Sequence, residues 1–181
     1  YVYNPSQEDD GTYIPSVYVN GNASLMRAGD IAIMPYFDST SHTVICAYDL
    51  DAASLSASQS VLGGGSIVYM NAETLYIAES TTRQTAGEPS AQSVYTVTDY
   101  TQTNTTNITS FDITGSGISL KASGTVTGSL SSQFNMDEYE GNLRVATTTY
   151  SQTWTEYTDE EMGWTNYVWG DSENANALYV L

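Results

Sequence analysis

The sequence of 181 residues predicts an all-β fold, and three observations predict it. Ser and Thr together supply 46 residues, a quarter of the chain, beside 15 Tyr and many Val and Ile; this is strand and turn composition, with helix formers scarce. Clusters of Gly, Asn and Ser punctuate short stretches of alternating apolar and polar residues. The third observation is a repeat. "VICAYDL" (44–50), "NITSFDI" (107–113) and "NALYVL" (176–181) share an apolar–aromatic strand pattern, with Tyr48, Phe111 and Tyr179 spaced by 63 and 68 residues.

Around these anchors, Val61 matches Val126 and Tyr69 matches Phe134 at an offset of 65; Leu75 matches Leu143 and Ala78 matches Ala146 at 68. The jump predicts a hairpin turn three residues longer in the later copy. Each copy reads as four short strands, best preserved as "SIVYMN" (66–71), "TLYIAES" (74–80), "NITSFDI" and "ISLKASGTV" (118–126). An earlier copy is expected from "DIAIMPYF" (30–37) and "VICAYDL", with "SLSASQSVL" (54–62) as its outer strand and "LGGGS" (62–66) as the turn between units. Four-stranded antiparallel units repeated head to tail are the pattern of β-propeller blades. A sandwich of about twelve strands accounts for the composition but not for the recurring phase.

The expected domain is a single partial β-propeller over residues 1–181, with blade-like units at 14–62, 63–127 and 128–181. That amounts to about two and a half to three blades, where closed propellers hold about four to eight. A blade buries its faces against neighbouring blades. The rest of the propeller is therefore expected as partner, from sequence not shown or from a second chain; two chains would supply about six blades. Both the opening "YVYNPSQEDDGTYIP" and the end at Leu181 read as mid-pattern.

Four stretches carry a family resemblance: "YIPSVYVNG" (13–21), "TVICAYDLD" (43–51), "LGGGSIVYMNAETLYIAES" (62–80) and "SSQFNMDEYEGNLRVATTT" (131–149). The chain resembles the secreted bacterial proteins with a C-terminal β-propeller domain distantly related to WD40 repeats. The resemblance covers nearly the whole chain and is sharpest at "QFNMDEYEGNLRVATT" (133–148). It implies a propeller on an exported bacterial protein and carries over no catalytic residues.

Charge narrows the function classes. Lys and Arg number 4 against 21 Asp and Glu, a net charge of −17 that repels nucleic acid and anionic membrane surfaces. The acidity reads as solubility, with attraction for cations as its functional counterpart. No apolar run is long enough to predict membrane insertion. The chain opens without the basic region and apolar run of a signal peptide, yet its Ser/Thr/Tyr-rich, lysine-poor composition points to an extracellular or cell-surface setting. Cys46 has no internal disulfide partner and reads as a small buried hydrophobe. His42 is the single imidazole and Cys46 the single thiol, which argues against transition-metal sites and a Ser–His–Asp triad.

Two segments carry candidate chemistry. In "NMDEYEGN", Asp137, Glu138 and Glu140 crowd beside Arg144. The repeat makes this the turn between the first two strands of the last unit, with Asp137 or Glu138 paired to Arg144 as a structural device; the acid spacing does not fit an EF-hand loop. The second segment is an insertion over 150–176, expected as a long loop. It holds Trp154, Tyr157, Trp164, Tyr167 and Trp169, aromatic faces suited to a protein or glycan ligand, unless they form a small satellite core. Asp159, Glu160 and Asp171 in the same segment are candidate oxygen ligands for Ca²⁺, with no other cofactor indicated. A parallel insertion over 81–104 reads as a solvated hairpin extension. The leading expectation is a non-enzymatic extracellular interaction module. Its rivals are a glycan or cell-wall hydrolase using Asp137, Glu138 or Glu160, and a purely structural domain.

Overall fold

The structure is a computed structural model that describes residues 14–36, 39–115 and 117–181. The mid-pattern opening before residue 14, and Phe37 at the end of "DIAIMPYF", lie outside the described residues. The described residues form thirteen strands: β1 (Ser16–Val19), β2 (Asn22–Leu25), β3 (Ile31–Ile33), β4 (His42–Asp49), β5 (Ser54–Leu62), β6 (Ile67–Met70), β7 (Thr74–Ala86), β8 (Ser90–Gln92), β9 (Tyr95–Asp112), β10 (Ser119–Thr127), β11 (Met136–Tyr139), β12 (Asn142–Asp159) and β13 (Trp164–Val180). No α-helix occurs among the described residues; the fold is all-β. The chain divides into two compact units, Tyr1–Glu79 with Asn107–Thr125, and Ser80–Thr106 with Val126–Leu181.

In the first unit, β6, β7, the end of β9 and β10 pair side by side in that order, the four strands expected for a blade. A second sheet has the order β3-β5-β4, with β3 parallel and β4 antiparallel to β5. "SLSASQSVL" is thus the central strand of its sheet and not the outer one. It gains ladder partners on both sides, and Val61 near its end is fully buried. Ala32, Met34, Val61, Ile77 and Phe111 form the buried core, flanked by Ile45, Leu75, Ile113 and Ile118. Strand alternation explains a second correction. Thr43 and Ile45 share the Val61 side of β4, so Cys46 points the other way and is exposed, not a buried hydrophobe. His42 opens β4, its Nδ1 lying 2.9 Å from Ser60 Oγ.

In the second unit, β11 and β12 form a hairpin closed at Tyr139↔Asn142, with Glu140 (φ 51°) and Gly141 (φ 78°) as its two-residue turn. Positive φ at both central positions is the geometry that matches strand twist, and the glycine adopts it without strain. The β6–β7 hairpin also has a two-residue turn, since the Asn71 amide donates to the Thr74 carbonyl at 3.0 Å. The later turn is therefore not longer. The three additional residues are the 3-10 turn Gln133–Asn135 that precedes β11. Ser132 caps it: its Oγ accepts from the Phe134 amide at 3.3 Å, and Asn135 Oδ1 accepts from the Ser132 amide at 3.1 Å. Met70↔Leu75 and Glu138↔Leu143 occupy equivalent positions, so one offset of 68 serves both hairpin strands. Phe134 lies in the inserted turn and is 89% exposed; Asp137 takes the place of Tyr69.

Candidate functional site

The aromatic insertion is not a loop. β12 and β13 run through it as one long hairpin, paired from Arg144↔Val180 to Asp159↔Trp164. β12 pairs on its other side with β9, from Ser151↔Thr103 to Asp159↔Tyr95. The 81–104 insertion is likewise a hairpin extension, made by the end of β7, β8 and the start of β9. Thr, Tyr, Trp and Val are β-branched and aromatic residues that fit a pleated surface. At the tip, Asp159 Oδ1 accepts from the amides of Glu161 (3.0 Å) and Met162 (2.9 Å), and the Gly163 amide donates to the Asp159 carbonyl at 2.8 Å. That local capping makes the segment a tight turn.

A β-bulge between Gln152 and Trp154 divides this hairpin into an inner and an outer half. Gln152 Nε2 donates to the carbonyls of Gly170 (3.1 Å) and Asp171 (3.4 Å), and Thr153 Oγ1 donates to the Asp171 carbonyl at 3.2 Å. A Cβ on residue 170 would sit 2.5 Å from Thr153 Oγ1, so glycine lets the two strands close there. Bulges raise local twist and re-aim the strand beyond them.

Beyond the bulge, cross-strand register sorts the aromatics onto two faces. Trp154, Tyr167 and Trp169 share one face with Tyr100 of β9. Tyr100 stacks on Trp154 with centroids 5.3 Å apart and rings 9° from parallel, and Trp169 leans on Trp154 at 5.6 Å. Trp154 is thereby reduced to 9% exposure, while Trp169 on the outer strand is 67% exposed and Tyr167 50%. The opposite face carries Tyr157 and Trp164, the latter edge-on to Tyr95 at 5.5 Å. The five aromatics singled out in the sequence thus fall three to one face and two to the other. Tyr100 was missed because it lies over fifty residues from Trp154 in the chain, and only sheet register brings them together.

The candidate cation ligands are spread along the hairpin. Asp159 is buried in its turn-capping role, and Glu160 accepts a hydrogen bond from Thr96 Oγ1 at 3.4 Å. Asp171 lies beyond the bulge from the tip, seven positions along β13 from the Trp164 that faces Asp159. At roughly 3.3 Å per residue these carboxylates do not converge, and no group of three His, Cys, Asp or Glu suited to a metal occurs among the described residues. Asp137 and Arg144 do pair, facing each other across the β11–β12 ladder, with Arg144 Nε donating to Asp137 Oδ1 at 2.9 Å and Nη2 to Oδ2. The guanidinium also lies 5.0 Å from the Tyr139 ring centroid. Hydrogen bonding to Arg144 holds the Asp137 carboxyl below its ordinary range. Glu138, the next residue along β11, faces Leu143.

A family profile described as the beta propeller domain matches residues 3–181. The chain belongs to the β-propeller domain family. No curated protein matches it, and no solved structure does. For this β-propeller chain the family match agrees with the four-stranded unit β6-β7-β9-β10 and its partial recurrence as β11-β12-β13. It characterises the chain as an interaction or structural module in general terms.

Proposed function

We propose that this propeller chain is a non-enzymatic interaction module of an exported, cell-surface or secreted bacterial protein, binding a protein or glycan ligand through its long aromatic hairpin. One observation carries the proposal. Trp169 and Tyr167 stand largely exposed on one face of β13, and Trp154, packed between Tyr100 and Trp169, holds Trp169 from behind. Aromatic side chains pre-positioned in this way lose little conformational freedom on binding, which is what makes Trp and Tyr effective anchors. The extracellular setting is supported by the hydroxyl-rich, lysine-poor composition.

The rest of the propeller is the second partner. The side of β4 and its neighbours away from the core exposes Ile33, Cys46 and Tyr48; on β11 and β13, Tyr139, Leu178 and Val180 are exposed. Sheet faces of this kind are where further blades, of a longer chain or of a second copy, would pack. The binding role is tested with the double variant Tyr167→Ala/Trp169→Ala against arrays of glycans and secreted proteins. We expect retained far-UV circular dichroism with loss of the wild-type binding profile; an unchanged profile would overturn the proposal.

A further inference from the structure

β13 hydrogen-bonds to β12 alone among the described residues, so its outer edge is open along Trp164–Val180, 17 residues that include neither Pro nor Lys. Pro, Lys and bulges all blunt natural edge strands; on β13 the bulge at Gly170–Asp171 interrupts the edge, and the regular stretch outside it, Trp164–Trp169, is a template for another strand. The amide of Tyr167 donates to Asn166 Oδ1 at 3.0 Å, which marks it as turned away from β12. With a period of two, the amides of Thr165 and Trp169 lie on the same outward side. Two of these outward amides, those of Tyr167 and Trp169, belong to exposed aromatics, and that of Tyr167 is held by its neighbour Asn166. Building on the binding role proposed above and deepening it, we infer that the β13 edge takes an extended, lysine- or arginine-bearing segment of a partner protein as an added strand.

Charge selects the occupant. Residues 145–181 contain six Asp or Glu and no Lys, Arg or His. An acidic or phosphorylated segment is repelled along the whole edge, whereas a basic one is drawn to Asp171 and Glu173 and can lay cationic side chains against Trp169 and Tyr167. The chain already contains such an arrangement. β10, "SLKASGTVT", is an exposed strand added to the edge of β9, and its Lys121 Nζ lies 3.5 Å from Asp112 Oδ1 and 3.5 Å from Thr74 Oγ1. The added segment would repeat on β13 what β10 does on β9: main-chain pairing for affinity and alternate side chains for selection.

The test uses the whole chain and a short peptide alternating Lys and Thr. Expected are binding read by tryptophan emission and slowed hydrogen exchange at Thr165, Tyr167 and Trp169. Thr165→Pro, which deletes one outward amide, and Asp171→Lys/Glu173→Lys should each weaken binding by roughly tenfold or more. The same peptide with alternate amides N-methylated keeps its charge but cannot pair, and should not bind. Equal binding of the methylated peptide would mean charge attraction only. Edge protection that grows with protein concentration without peptide would mean that a second copy of the chain fills the edge. Either result, or no binding at all, overturns the inference. If the peptide fails while Tyr167→Ala/Trp169→Ala still abolishes binding on the arrays, strand addition falls and the binding role stands; if both fail, both fall.

Discussion

β9 is one strand with two environments. From Thr105 to Phe111 every side chain is buried, whereas from Tyr95 to Asn104 only Val97 and Thr98 are. The inner stretch is full of hydroxyl and amide groups, and it can be buried because most of them find partners; Thr109 Oγ1 is the exception among the described residues. Thr106 Oγ1 donates to the Gly128 carbonyl at 2.6 Å, Asn107 Nδ2 to the Tyr36 carbonyl at 3.3 Å, and Asn107 Oδ1 accepts from Thr125 Oγ1 at 3.0 Å. The outer stretch relies on cross-strand neighbours instead: Tyr100 on Trp154, and Thr155 Oγ1 donating to Asp99 Oδ1 at 2.6 Å. The difference teaches that continuity of backbone pairing does not imply equal stability. Burial is cooperative across a core, while side-chain pairs on a two-sided sheet act locally.

The largest expected effect sharpens that contrast at its inner end. Phe111 is fully buried against Ala32, Met34, Val61 and Ile77. Phe111→Ala should cost about 3–5 kcal/mol, the sum of lost transfer energy and the cavity left behind, read as a lower urea midpoint. Trp169→Ala on the exposed strand loses one ring contact with Trp154 and should cost no more than about 1.5 kcal/mol. A comparable loss at both positions would break the distinction between core and arm.

The next effect is local. Trp154 is the middle of the stack, and its removal deletes both ring contacts, worth about 0.5–1.5 kcal/mol each beyond burial. Trp154→Ala should speed amide exchange over 95–103 and 151–159 while leaving 107–111 at wild-type rates. Uniform acceleration along β9 would show that inner and outer stretches open together.

Legibility in the sequence followed the same division. The strands of the blade units were readable because apolar residues alternate between turn signals: "SLSASQSVL" spans the same residues as β5, and "ISLKASGTV" lies within a residue of β10. Sheet order was not readable, since nothing local says that β5 lies between β3 and β4. The outer hairpin reads as a loop in the sequence because its strands are built of Thr, Tyr and Trp, not of aliphatic residues. A turn of Asp159 followed four residues later by Gly163 was the signal that could have revealed it. The aromatics of the candidate site were visible as a cluster, but their division between two faces depends on register, and Tyr100 on pairing between distant strands. The repeat offset was misassigned for a simple reason. Phe134 resembles Tyr69 in type, yet it belongs to the inserted 3-10 turn.

The smallest effect lies at the hairpin where inner pairing meets solvent. Asp137 and Arg144 are both substantially exposed, so their ion pair is weak in the manner of surface pairs. Its sign is nevertheless defined. Hydrogen bonding to Arg144 lowers the Asp137 pKa in the folded chain relative to the unfolded one. The resulting stabilisation is fully present above the unfolded value, about 3.9, and is lost as pH falls through the folded value. Acidification below about pH 4 should therefore loosen the β11–β12 hairpin slightly, seen as a shift in the Tyr139 ring resonances as the guanidinium above the ring is released. In Asp137→Asn that acid-side shift should vanish, because the residue no longer titrates. If Tyr139 responds to acid equally in the variant, a group other than Asp137 drives the shift, and the Asp137–Arg144 pair does not hold this hairpin against acid.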